Sequence, residues 1–93
     1  MSSYRQLVHT VSDILFVVKE GHEDGVGIAL LMQKANLSYV RATRILSELI
    51  QVSLIEEIKK GDSKKYRITS LGIEYLGEYE RFSNFAKSFG LTV

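Results

Sequence analysis

The sequence predicts a mostly helical α+β fold with a three-helix core, a two-stranded antiparallel hairpin and a C-terminal helix. Three observations lead to this prediction. Apolar residues recur at helical spacing through the first half of the chain. Residues 54–68 have the pattern of two short strands around a Gly61-Asp62-Ser63 turn, and a helical apolar pattern returns after Thr69. A length of 93 residues suffices for one modest core, so we expect residues 1–93 to form one domain.

The first two helices are predicted on either side of a glycine-rich connection. The first runs from about Tyr4 to Lys19, and a second, short and mostly buried helix runs from about Val26 to Ala35. Asn36 should end it, because asparagine tolerates the left-handed conformation common at helix ends. The apolar stripe of the first helix consists of Leu7, Val11, Ile14, Leu15 and Val18.

A third helix is predicted to start after Ser38, whose side chain can accept a hydrogen bond from the first turn. Its inward stripe is Ala42, Ile45, Leu46, Leu49 and Ile50. Outside or at the margin are Tyr39, Arg41, Thr43, Arg44, Ser47 and Glu48. Two helices joined by a turn of about three residues make a helix-turn-helix. A helix of about 14 residues fits the major groove of DNA.

The positive charge is concentrated in the middle of the chain. The net charge is only +1, but residues 1–37 carry −1, residues 38–67 carry +3 and residues 68–93 carry −1. Around the hairpin turn, only Asp62 opposes five basic residues: Lys59, Lys60, Lys64, Lys65 and Arg67. Such a cluster is typical of phosphate contact, although lysines also solubilise ordinary loop tips.

The last helix is predicted to begin after Thr69 or Ser70 and to reach about Ser88. It contains Gly72 and Gly77, each of which costs roughly 1 kcal/mol relative to alanine in a helix interior. An apolar seam with the 4, 3, 4, 3 spacing of a coiled coil comprises Tyr75, Tyr79, Phe82, Ala86 and Phe89, broadened by Leu76 and Phe85.

This seam predicts a homodimer joined through residues 70–89. A small helical core should bury only the start of the last helix, and aromatic side chains left in water indicate an interface. The first helix would supply a second wall through Tyr4, Leu7 and Val8. The alternative is that the last helix folds back and covers the seam within one chain.

Three strings together resemble winged helix-turn-helix domains of small archaeal DNA-binding proteins. The first is ANLSY at positions 35–39. The second is the pattern of Leu46, Leu49 and Leu54-Ile55 at the end of the third helix, and the third is YRITSLGIEYL at positions 66–76. That group includes transcription regulators of archaea and their viruses and a dimeric archaeal chromatin protein, and the resemblance covers about residues 7–80. It implies a third helix in the major groove, a wing at the flanking backbone and a homodimer joined through terminal helices. The chain lacks the long terminal coiled coil of the chromatin protein, which favours a regulator.

The predicted DNA-binding residues are Ser38, Tyr39, Arg41, Thr43, Arg44, Ser47, Lys59, Lys60, Lys64, Lys65 and Arg67, and the predicted dimer-interface residues are Leu7, Tyr75, Tyr79, Phe82, Ala86 and Phe89. Arg41 and Arg44 could bond guanine, or they could be ordinary surface residues or partners of Glu48. Tyr39 either packs its ring on the domain or reaches a phosphate. The main expected role of Ser38 is to cap the third helix, and contact with a phosphate would be secondary.

Catalytic, metal and membrane functions find no support in the sequence. His22, Glu23 and Asp24 could bind a metal, but no second ligand group completes a site. GHEDGVG at positions 21–27 lacks the ending of a phosphate-binding loop, and no nucleophile motif is present. There is no cysteine, no apolar run of roughly 20 residues and no secretory signal. We expect a cofactor-free, metal-free intracellular protein that is not an enzyme.

The predicted function is sequence-specific binding of double-stranded DNA by a homodimeric transcription regulator. One alternative is a protein-protein interaction module, which the acidic residues Glu48, Glu56 and Glu57 on and near the third helix would suit. Another is a non-specific nucleoid protein, for which a net charge of +1 is low.

Overall fold

A computed structural model describes residues 4–91, and their side chains from Leu7 onward. The side chain of Tyr4 therefore lies outside the described residues. The elements follow in the predicted order as α1 (Tyr4–Glu20), α2 (Ile28–Ala35), α3 (Tyr39–Gln51), β1 (Ile55–Lys60), β2 (Ser63–Ile68) and α4 (Ser70–Lys87). None of the helices between residues 4 and 91 combines the length and apolar character that a membrane crossing needs.

One hydrophobic core joins all six elements. Its fully buried side chains include Ile14 and Leu15 from α1, Leu31 from α2 and Leu46 from α3, together with Ile55 from β1. Tyr66 and Leu76 add β2 and α4 to the same cluster. The apolar spacing predicted the buried sides of α1 and α3 because 3.6 residues per turn bring those positions onto one side of a helix.

The second helix starts later than predicted and is less buried. Gly25, at φ 76°, and the extended Gly27 turn the chain so that Val26 lies beside β2 instead of entering α2. Val26 N donates to Tyr66 O at 2.9 Å, and Tyr66 N donates to Val26 O at 2.8 Å. Within α2 only Leu31 is buried, because an eight-residue helix presents one short stripe to the core.

The turn between α2 and α3 has the predicted geometry. Asn36 adopts the left-handed conformation at φ 55°, and its N–H bonds Met32 O. Ser38 Oγ accepts a hydrogen bond from Arg41 N at 3.2 Å and so caps α3.

The wing is a two-stranded antiparallel sheet with a fixed register. Ile55 pairs with Ile68, and Lys59 pairs with Lys64. Gly61 at the turn has φ 62°, a conformation that glycine adopts without strain. Because side chains alternate along a strand and directly opposed residues share a face, the register divides the wing residues into two sets.

The last helix is capped by Thr69, one of the two predicted candidates. Its Oγ1 accepts from Gly72 N at 3.0 Å and lies 3.0 Å from Leu54 O, which ties the start of α4 to the start of β1. Gly72, Leu76, Ser83 and Ala86 are buried along α4. The expectation that the chain covers only the start of this helix is therefore wrong, because α1 packs against α4 and residues as late as Ser83 and Ala86 are buried.

Candidate nucleic-acid interface

The exposed side of α3 is a row of four residues that points directly away from the core. Opposite the buried stripe of Ala42, Ile45, Leu46 and Leu49 lie Val40, Arg44, Ser47 and Gln51, which we call the outward row. Arg44 and Ser47 were predicted as DNA-binding residues. Val40 and Gln51 were not, although their spacing of four residues from Arg44 and Ser47 would have identified them.

The other predicted residues of α3 lie beside the outward row. Arg41 is half-buried on one side of it, and Tyr39 and Thr43 lie on the side towards the wing. Thr43 Oγ1 donates to Val40 O at 3.0 Å. Among the described residues, neither Arg41 nor Arg44 forms an ion pair with Glu48 or any other acid. Both guanidinium groups are thus available to an outside anion.

A cleft of about 480 Å³ separates α3 from the wing. Its lining includes Tyr39, Thr43 and Ser47 from α3, and Glu57, Lys64 and Tyr66 from the wing. Lys64 Nζ lies 3.9 Å from Glu57 Oε1, which is a loose, solvent-exposed pair. Burial raises the pKa of the Tyr66 phenol, and the charge of Glu57 adds to the shift.

The register divides the five basic residues of the wing between its two faces. Lys59 and Lys64 share the face that borders the cleft, which we call the helix-side face. Lys60, Lys65 and Arg67 lie on the opposite, loop-side face, next to the connection between α1 and α2. A methyl group added at Gly27 in that connection would stand 3.7 Å from Lys65 Nζ. The five residues therefore do not form one cationic surface.

Acidic residues oppose these cations more than the sequence suggested. Lys60 Nζ donates to Asp24 Oδ1 at 3.0 Å, and that bond and the lysine charge lower the pKa of the Asp24 carboxyl. The Arg67 guanidinium bonds the Glu56 carboxylate and also donates to Glu23 O. The expectation that Asp62 alone opposes the cluster is wrong, because folding brings Asp24 to the turn from 36 residues away. Lys59 and Lys65 have no acidic partner among the described residues.

The predicted dimer seam splits into a covered part and an exposed part. Ala86 is 6% exposed and is therefore covered within the chain, and Tyr79 Oη lies 3.2 Å from His9 Nδ1 of α1. Tyr75 is half-buried and Leu7 is 41% exposed. The exposed part is an aromatic stripe of Phe82, Phe85 and Phe89, at 56%, 63% and 67%. Phe85 and Phe89 stack edge to face with ring centroids 5.1 Å apart.

No group of three or more histidine, aspartate or glutamate side chains within residues 4–91 is arranged to hold a metal ion. His22 and Glu23 belong to a single 3-10 turn, His22–Asp24, that carries the chain from α1 towards Val26.

Comparisons with known proteins agree with this architecture. A family model described as winged helix-turn-helix matches residues 5–87. The crystal structure of Sso10a-2, a DNA-binding protein from Sulfolobus solfataricus, superposes with a TM-score of 0.72 at 24% sequence identity, over 88% of this chain and 82% of that chain. At this identity the similarity establishes the fold alone. No curated protein matches the chain in sequence.

Proposed function

The chain belongs to the winged helix-turn-helix family, and on that premise we propose that it is a homodimeric transcription regulator that binds specific sites on double-stranded DNA. The outward row of α3 carries the proposal, because it combines an unpaired arginine with hydrogen-bonding side chains on a helix of major-groove dimensions. In this role the protein binds DNA and catalyses no reaction. It would act inside the cell, where its DNA partner is. Sso10a-2, a DNA-binding protein with the same fold, adds support.

The wing would contact the backbone beside α3 through its helix-side face. Lys59 and Lys64 lie on the same side of the sheet as Tyr39 and Thr43, so a duplex that occupies α3 brings phosphates near both lysines. Ser38, at the capped start of α3, lies where helix N-terminal N–H groups favour an anion. Lys60, Lys65 and Arg67 face the other way, and a phosphate at Lys60 or Arg67 would compete with a carboxylate.

The homodimer is proposed on the aromatic stripe. Phe82, Phe85 and Phe89 lie in one row and are more than half exposed, and a row of aromatic side chains is typical of an interface core. Two recognition helices related by a two-fold axis would enter major grooves about 34 Å apart, so half-sites should be centred roughly 10 base pairs apart or a multiple of that.

Selection of bound sequences from random duplex DNA tests the function directly. An enriched sequence with two-fold symmetry is the expected result. Binding without enrichment would indicate a non-specific nucleoid protein, and no binding to any duplex would indicate a protein-protein interaction module. Both of these outcomes contradict the proposal.

The faces of the wing give a matched pair of lysine substitutions. Lys64→Ala should weaken binding to all duplexes alike and lower the slope of log K against log salt by about 0.9 per subunit, or roughly 2 in a dimer, because one phosphate contact is lost. Lys65→Ala removes the same charge from the loop-side face and should leave the slope nearly unchanged. Fluorescence anisotropy titrations at several salt concentrations measure both slopes. Equal losses would mean that the faces do not differ in DNA contact.

Arg44 should read a base, whereas Arg41 should contact a phosphate. Arg44 is exposed on the outward row, and Arg41 is half-buried at its side. Arg44→Ala should cost about 1–3 kcal/mol on the selected site and relax discrimination at one base pair per half-site. Arg41→Ala should weaken binding to the selected duplex and to unrelated duplexes by the same factor. Affinities for a set of single-base-pair variants separate the two effects, and a uniform loss with Arg44→Ala would remove it as a reader.

A further inference from the structure

Val40 is 73% exposed, the highest value among the exposed large hydrophobic side chains of the described residues. Single exposed valines are common on protein surfaces, and the place of this one distinguishes it. It lies in the first turn of α3 at the start of the outward row, four residues before Arg44. The rest of the row is polar, so Val40 does not belong to the larger apolar patches that protein partners cover.

The chemistry of valine limits what Val40 can contact in DNA. Its side chain has neither donor nor acceptor, so it cannot bond a phosphate or a polar base edge. The apolar group that the major groove presents is the C5-methyl of thymine. The position of Val40 is fixed locally, because Ser38 Oγ caps the first turn and Thr43 Oγ1 bonds Val40 O at 3.0 Å.

We propose that Val40 reads a thymine by packing its methyl groups against the thymine C5-methyl in the major groove. The thymine lies within about two base pairs of the guanine that Arg44 bonds, because side chains four residues apart on a helix have Cβ atoms about 5–6 Å apart and base pairs are stacked about 3.4 Å apart. This inference rests on the proposed function and adds a base preference to it.

The test replaces thymine by uracil, which removes the C5-methyl and keeps the hydrogen-bonding pattern. Each thymine of the selected duplex is replaced in turn, and dissociation constants are measured for the wild type and for Val40→Ala. For the wild type, uracil in place of the sensitive thymine of one half-site should weaken binding about fourfold, since burying one methyl group contributes about 0.8 kcal/mol. The same replacement in both half-sites should weaken binding about 15-fold. For Val40→Ala the same replacement should have a clearly smaller effect, because only Cβ remains to contact the thymine methyl. The sensitive thymine should lie within about two base pairs of the position at which Arg44→Ala loses discrimination.

Val52→Ala is the matched control. Val52 is also an exposed valine, but it is the residue after the last turn of α3, away from the outward row. This variant should keep the full uracil penalty of the wild type. Unchanged melting temperatures of both variants would show that each is folded. The inference is overturned if no thymine is sensitive to uracil, or if the full wild-type penalty persists in Val40→Ala while specific DNA binding is intact. Failure of the wild type to bind any duplex would overturn the proposed function itself, and this inference with it.

Discussion

Replacing Gly72 by alanine is expected to destabilise the fold by about 3 kcal/mol, the upper part of the usual range for overpacked sites. A Cβ at this position would overlap Leu54 O and would lie only 2.6 Å from Ile68 Cγ1. Leu54 O cannot withdraw easily, because it accepts a hydrogen bond from Thr69 N at 3.2 Å and lies against the Thr69 hydroxyl that caps α4. The added methyl group therefore pushes α4 away from the start of β1, and chemical denaturation should show a lower free energy of unfolding.

Gly77→Ala is the matched substitution and should have the opposite sign. Gly77 lies on the same helix, and a Cβ there would meet no atom within 4 Å. The change should stabilise the protein by up to about 1 kcal/mol, because alanine loses less backbone entropy than glycine in a helix interior. If Gly72→Ala lowers the free energy of unfolding no more than Gly77→Ala does, the close approach of Gly72 to Leu54 is not a constraint on the fold.

These two glycines illustrate what the sequence could and could not predict. The helical propensity of Gly72 and Gly77 is the same, and only the packing of α4 on β1 distinguishes them. The caps Asn36, Ser38 and Thr69 were predictable because each acts on backbone groups within a few residues. The pairing of Val26 with Tyr66 was not, because 40 residues separate the two and one valine carries no strand pattern.

The candidate interface shows the same division between local and long-range information. The period of α3 predicted its buried stripe and therefore its exposed side. The charge count predicted a basic wing but not its two faces, because the face of each lysine depends on the register of the hairpin. The pairing of Lys60 with Asp24 depends on how the connection after α1 folds over the wing. Sequence reasoning thus located the basic residues but not the partners that already neutralise some of them.

The predicted dimer seam lies partly on a side of α4 that the same chain covers. The predicted series with its 4, 3, 4, 3 spacing contains Phe82 and Phe89 as well as Tyr79 and Ala86, and Phe85 continues the phenylalanine row at a spacing of 3 and 4. The apolar and aromatic residues span a wide face of the helix, so the sequence alone cannot decide which of them the chain itself covers. The structure buries Ala86 and leaves the phenylalanines in water. The proposed interface is accordingly centred on the aromatic stripe.

The double substitution Phe82→Glu, Phe89→Glu should convert the protein to a monomer and lower its affinity for a symmetric duplex by at least about 100-fold. Four glutamates at the interface of a dimer would have to lose water without cationic partners, which is costly. The fold of each chain should survive, because Phe82 and Phe89 are 56% and 67% exposed. The large loss of DNA affinity is expected because two linked subunits bind a two-site duplex about 10² to 10⁴ times more tightly than a single subunit binds one site. Sedimentation and anisotropy titrations measure the two effects.

Ile73→Glu, Asn84→Glu provides the control on the same helix. Both residues are exposed, and Ile73 lies half a turn around α4 from Phe82, so this variant adds two glutamates away from the aromatic stripe. It should remain a dimer with nearly unchanged DNA affinity, because neither side chain lies on the stripe. A monomeric wild type at micromolar concentration would contradict the proposed interface. A Phe82→Glu, Phe89→Glu variant that stays dimeric would also contradict it. Two-fold symmetry places both substitutions of each chain in the same contact, so a dimer joined through the aromatic stripe would have to bury all four glutamates.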